Sequence, residues 1–163
     1  CEAAKTLSKD KTGTLVVIER KTRLGEQIDT GVLLNATVSE ELLLNIFFKN
    51  TPLHDGAVII RDGRLLAAAC FLPKPQREEL IETNFGSRHR AAIGISEVSD
   101  AITVVVSEET GTISVTESGQ IIRNFTPDSL RVFLRAKLIP EPDEGKKATK
   151  VARKFAFWRA KKK

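Results

Sequence analysis

Residues 101–106, Ala-Ile-Thr-Val-Val-Val, constrain the fold more than any other stretch, because they are almost wholly apolar and rich in β-branched side chains. Such a run reads as a central strand, covered on both faces. The segments around it supply partners. Gly13 ends a helix over 2–9, and Leu15, Val16, Val17 and Ile18 then read as a first core strand over 14–18. Residues 32–38 form a short second strand, and the polar stretch 23–30 between them is expected to be a turn-rich connection. Ser39 is placed to cap a helix whose Leu42, Leu43, Ile46 and Phe47 recur at the spacing of a buried face, until Asn50-Thr51-Pro52 stops it. Asp62-Gly63 joins two apolar runs and predicts a hairpin with a primed turn. A second hairpin is expected over 112–125. Thr126-Pro127 then opens a last helix with a stripe of Leu130, Phe133, Leu134 and Leu138.

At 163 residues the chain is long enough for one domain with a proper core. That domain is expected over 1–139, with a linker and basic tail over 140–163. The charge divides a few residues later, at Lys146. Nine of the 26 Lys and Arg lie in 146–163 with no acid among them, which leaves 17 against 21 acids and a net charge of −4 over 1–145. The chain's excess positive charge therefore gives no reason to expect the body to bind nucleic acid. In the tail, Val151, Phe155 and Trp158 fall on one helical stripe among Lys and Arg, a pattern that suits an anionic bilayer, a partner or a solvated extension. Nothing approaches the roughly 20 apolar residues of a membrane helix. The chain begins at Cys1 without Met, so a fragment or processed chain is expected. Cys70 lies in an apolar run and is expected to be a buried thiol, which suits a reducing compartment. There is no P-loop, zinc-ligand set or Ser/His/Asp order.

Three short constellations carry chemistry. In Gly86-Ser87-Arg88-His89-Arg90, Ser87 reads as an N-cap and Ala91, Ala92, Ile95 and Val98 as the apolar face of the helix behind it. Cations are disfavoured at a helix start, where the dipole is positive, unless an anion sits there; free N–H groups, Arg forks, the Ser87 hydroxyl and His89 would then form a polyphosphate cradle. The alternative is solvated arginines around a structural histidine. Asp55-Gly56 has an apolar strand on one side only, with Pro52 and His54 on the other, so it closes no hairpin. A carboxylate at a strand mouth beside a Gly that admits another molecule suits a metal or a hydroxyl; it also suits a loop Asp capping its own turn. Ala67-Ala68-Ala69 would let a helix or flat ligand pack close. Ser107, Glu108 and Glu109 end the central run, where a sheet enzyme places carboxylates and where ordinary turns also occur.

Together, Asp55-Gly56-Ala57 and Arg88-His89-Arg90 resemble the two signature motifs of the diadenylate cyclase domain. The resemblance covers about residues 1–138 and is close over 13–20, 34–72 and 88–111; His54 resembles the membrane-anchored bacterial class rather than the DNA-scanning one. Ser87 departs from the Thr more usual there but keeps a hydroxyl. The resemblance implies an α/β fold with a central mixed, largely antiparallel β-sheet flanked by helices on both faces. It implies ATP as substrate, joined in pairs into cyclic di-AMP with release of two pyrophosphates by a face-to-face homodimer. By similarity Asp55 holds or activates the ribose 3′-hydroxyl, and Ser87, Arg88, His89 and Arg90 hold phosphates. Gly56, Ala57, Leu72, Gly86, Ser107 and Glu109 border the nucleotide. A divalent metal, Mn²⁺ or Mg²⁺ with Co²⁺ as a further choice, is implied on His54, Asp55 and Glu108, with Glu109 an alternative ligand. An anchor ahead of Cys1 is implied, placing the whole protein on the cytoplasmic face of the membrane while this part is soluble. Two rival readings remain: a nucleotide-sensing module without chemistry, and a tail that anchors an inert body.

Overall fold

Ile102–Val106 (β5) is buried along its whole length, as a strand with no charged position must be. The computed structural model describes residues 1–76 and 85–139. Among these, α1 (Glu2–Lys9), β1 (Thr14–Ile18), α2 (Gly25–Asp29), β2 (Val32–Thr37), α3 (Glu40–Ile46), β3 (Ala57–Arg61), β4 (Arg64–Cys70), α4 (Ser87–Val98), β5, β6 (Ile113–Glu117), β7 (Gln120–Phe125) and α5 (Pro127–Leu138) follow in order. The chain divides into two compact units, Cys1–Asp128 and Ser129–Lys163. The tail stripe of Val151, Phe155 and Trp158 lies outside the described residues, as does most of the charged connection before Gly86.

The strands form one sheet in the order β2-β4-β3-β1-β5-β6-β7. Only β1 and β3 run parallel, with Val17 opposite Ile59; every other pair is antiparallel, so the sheet is mixed and largely antiparallel as expected. Helices cover both faces. On one, Ala92 and Ile95 of α4 and Leu24 ahead of α2 pack with Leu15, Val17, Ile59 and Val105. Alternation sends Val58, Val104 and Val106 to the other, where α1 lies against α3 and β5. Burying each such side chain is worth roughly 1.5–3 kcal/mol.

Both predicted hairpins form. Asp62 (φ 50°) with Gly63 (φ 74°), and Ser118 (φ 52°) with Gly119 (φ 73°), supply the paired positive dihedrals of a primed turn. Ser39 caps α3, its Oγ accepting from Leu42 N at 3.2 Å; Ile46 and Phe47 are buried, while Leu42 and Leu43 are half-buried. α5 begins at Pro127 as its sequence predicts, with Leu130 buried.

Three local expectations are corrected. Residues 23–30 are not merely a connection but contain α2, because the buried Glu19 accepts from Leu24 N at 3.0 Å and caps the helix from outside it. Glu19 is itself held by Arg61 (2.6 and 2.7 Å) and Arg23 (2.8 Å), and these bonds keep its carboxyl below the usual range although burial opposes them. The cap of α4 is Gly86, and Ser87 is its first helical residue; no side chain caps this end. Val98 is 52% exposed and leaves the apolar face to Ala92, Ile93 and Ile95. Gly56 also serves the chain's own packing: at φ 96° its added Cβ would lie 2.9 Å from Ala69 C and Cys70 O of β4. Ala67 and Ala68 are buried, and α2 packs against their strand, the close helix approach that the small side chains predict. Cys70 is buried as expected, and burial pushes its thiol up to about 11.

Candidate active site

The first turn of α4 has no side-chain cap and no acid. Its leading N–H groups and the positive end of the helix dipole therefore face an open cleft of about 110 Å³, lined by Phe85 through His89, by 106–110 at the end of β5, and by Arg123 of β7. Arg88, 17% exposed at its side chain, spans the cleft's rim. Its Nη1 donates to Glu108 Oε2 at 3.1 Å and its Nη2 to His54 O at 3.4 Å, which ties the residue before Asp55 to the acids after β5. Arg88 Nε is buried with no partner among the described residues. Gly13 lies directly under this pair, since a Cβ there would stand 2.6 Å from Arg88 Nη1 and 2.9 Å from Glu108 Oε2.

His89 is 6% exposed, stacked on Phe85 with ring centroids 5.3 Å apart and planes 15° from parallel. Burial first, then the charge of Arg123, lower its pKa, and Glu109 pulls the other way. The ring is thus held neutral, with Nε2 buried and unpartnered. Buried polar atoms are nearly always bonded, so the orphan donor at Arg88 Nε, joined by His89 Nε2 in the tautomer that carries its proton there, suits a ligand rich in acceptor oxygens beside an uncapped helix start.

The expected residues separate into groups. Gly86, Ser87, Arg88, His89, Ser107, Glu108 and Glu109 line the cleft together. Ser107 Oγ, however, accepts from Glu109 N and Thr110 N at 3.3 Å, so it also shapes its own turn. Arg90 and Leu72 line a second cavity of about 170 Å³ with 73–75, Ser87 and Ala91, on the other side of the helix start. Ser87 borders both. Asp55 is exposed and outside the cleft lining, and Ala57 is buried in β3. His54 Nδ1 donates to Thr51 O at 2.6 Å, so Nε2 is the ring nitrogen left to face another group. No three His, Cys, Asp or Glu among the described residues stand close enough to hold an ion by themselves. Gly13, Phe85 and Arg123 were not expected at the site. Gly13 reads as a helix breaker, Phe85 is one apolar residue before a glycine, and Arg123 is brought in only by the β6–β7 hairpin.

Comparison with known proteins identifies the family. The family model described as DAC, DisA bacterial checkpoint controller nucleotide-binding, matches residues 1–121. The chain is 46% identical over 162 residues to the cyclic di-AMP synthase CdaA of Bacillus subtilis, covering 99% of this chain and 56% of that protein. It is 46% identical over 133 residues to a diadenylate cyclase of Listeria monocytogenes, covering 82% and 48%. The chain thus spans about half the length of these curated relatives. Among solved structures, a double mutant of DacA from Staphylococcus aureus superposes with a TM-score of 0.82 at 43% identity, over 85% of this chain and 92% of that one. A hypothetical membrane spanning protein from Bacillus cereus gives 0.73, also at 43%, over 77% and 61%. With the motifs, the sheet and the relatives in accord, the chain belongs to the DAC family of nucleotide-binding domains.

Proposed function

We propose that this chain is the catalytic domain of a diadenylate cyclase that joins two ATP into cyclic di-AMP. The observation that carries the reading is the uncapped start of α4, where Arg88 and a neutral His89 line a cleft and Arg88 also bonds the loop that bears Asp55. Phosphoryl transfer needs positioning and charge neutralisation more than covalent help, and these residues supply both. In each half-reaction the 3′-oxygen of one ribose bonds to the α-phosphorus of the other nucleotide. The bond from that phosphorus to its bridging oxygen breaks, and the electron pair leaves with pyrophosphate. The hydroxyl proton passes to the Asp55 carboxylate and then to water. The adenine is assigned to the cavity of Leu72 and Arg90, across Ser87 from the phosphates.

A divalent cation, Mn²⁺ or Mg²⁺ with Co²⁺ as a further choice, fits the donors. Asp55 and Glu108 offer exposed carboxylate oxygens, and the carbonyl-held ring of His54 offers Nε2. No three of these groups stand together, so the ion would take one or two ligands from among His54, Asp55 and Glu108, with Glu109 as the alternative, and the rest from water and phosphate, whose charge it would neutralise. Because each hydroxyl must reach the other nucleotide, two protomers meet face to face about a two-fold axis. No helix among the described residues is long and apolar enough to cross a membrane. The relation to the membrane spanning protein of Bacillus cereus supports an anchor elsewhere in the whole protein, with this domain on its cytoplasmic side, where ATP is found. Asp55→Asn tests the chemistry: ATP should still bind by calorimetry while mass spectrometry finds no cyclic dinucleotide. Retained turnover would remove Asp55 from the mechanism.

A further inference from the structure

Among the described residues, two guanidiniums line the cleft at the start of α4, and only one comes from the Arg88-His89-Arg90 triplet. Arg90 turns aside, its Nε donating to Phe85 O at 3.1 Å, and lines the second cavity. The other cation in the cleft is Arg123, carried by β7 from the far edge of the sheet. Its guanidinium carbon sits 5.1 Å from the centroid of the Phe85 ring, and Phe85 in turn stacks on His89. Arginine, aromatic ring and imidazole thus form three layers at the cleft wall.

Charge decides what this layer is for. Arg88 is already paired with Glu108, and Glu109 adds a second carboxylate to the lining. A triphosphate entering a cleft with two acids needs more positive charge than Arg88 alone supplies. Stacking engages the face of a guanidinium, whereas its N–H donors lie in its plane and match phosphate oxygens two at a time. A cation held over a ring at the wall of this cleft is placed to meet an anion that enters it, whatever else it bonds.

We propose that Arg123 is a phosphate-binding residue of this cleft and takes the β- and γ-phosphates, which depart as pyrophosphate. This rests on the reading of the cleft as the nucleotide's phosphate site. Arg123 forms and breaks no covalent bond. It neutralises the charge that gathers on the bridging oxygen when that oxygen receives the electron pair of the broken bond to the α-phosphorus.

Calorimetry with 3′-deoxy-ATP and 3′-deoxy-AMP, which lack the attacking hydroxyl, tests this without turnover. Wild-type chain should bind the triphosphate more tightly than the monophosphate. Arg123→Gln should weaken the triphosphate on the order of 10- to 100-fold and the monophosphate less than about twofold. Arg123→Lys, which keeps the charge and loses the planar fork, should fall between. A role confined to packing on Phe85 predicts equal loss for both nucleotides, and that result, or unchanged triphosphate affinity, overturns the proposal. If Arg123→Gln shows no folding transition, Arg123→Lys decides alone: a several-fold loss confined to the triphosphate supports the assignment, and equal or absent losses overturn it. Wild-type chain that makes no distinction between the two nucleotides defeats the phosphate-site reading and this assignment with it, whereas selective wild-type binding with an indifferent Arg123→Gln defeats this assignment alone.

Discussion

Gly13 supports the site by having no side chain. A methyl group there would displace the Arg88–Glu108 pair, whose atoms stand 2.6 and 2.9 Å from where it would go. Gly13→Ala should therefore fold, with a modest drop in melting temperature, and lose turnover on the order of 100-fold, the scale of a misplacement near 1 Å. Gly56 answers to the fold instead, with a positive φ and β4 against it, so Gly56→Ala should lower stability by about 1–3 kcal/mol in urea melts. His89 gives a pH dependence. Burial and Arg123 hold its folded pKa below the ordinary value near 6.5, so the unfolded chain takes up the proton first as pH falls. Its cost to stability is absent above about pH 7 and grows as pH drops below 6.5 towards the lowered folded value. Urea midpoints at pH 7.5, 6.5 and 5.5 should decline less steeply in His89→Gln, and parallel declines would contradict the assignment. At this scale the sequence was partly legible. The Arg-His-Arg cluster stands out because basic residues oppose a helix dipole, but nothing local marks Gly13 as the floor of an ion pair or Arg123 as part of the cleft.

Among the elements, α4 matters most, and the sheet holds it through polar atoms as well as packing. Thr116 Oγ1 on β6 donates to Ala92 O at 2.9 Å and pairs with Thr103 Oγ1 at 2.7 Å, while Gly119 N donates to Ser96 O at 3.1 Å. Thr116→Val leaves Ala92 O without this donor and the Thr103 hydroxyl without its acceptor, and should cost about 1–3 kcal/mol, with Thr116→Ser, which keeps the hydroxyl, losing less; a Thr116→Val variant as stable as wild type would contradict the role of these bonds. The two hairpins and the Ser39 cap were legible because their turn and cap residues act within a few positions. α2 was not, since its capping carboxylate belongs to Glu19 and is fixed by Arg61, 42 residues further on. The parallel pairing of β1 with β3 was equally hidden, because it follows from a crossover through α2, β2 and α3 and leaves no local pattern.

At the scale of the whole molecule, the cleft at the start of α4 and the exposed Asp55 belong to one chain, and the proposed reaction needs two of each brought together. Activity per chain should then rise with protein concentration until the dimer saturates. The strand order from Val32 to Phe125 places β1 and β5 at the centre, so Gly13 ahead of one and Glu108 after the other meet at a rigid part of the sheet. The cleft residues from different elements converge there, which the two short motifs alone could not specify. The most direct test is mass spectrometry of the purified chain incubated with ATP and Mn²⁺ over a range of protein concentrations. The account predicts cyclic di-AMP with two pyrophosphates for each, formed at a rate per chain that rises with concentration; ATP bound but recovered intact at every concentration would contradict it.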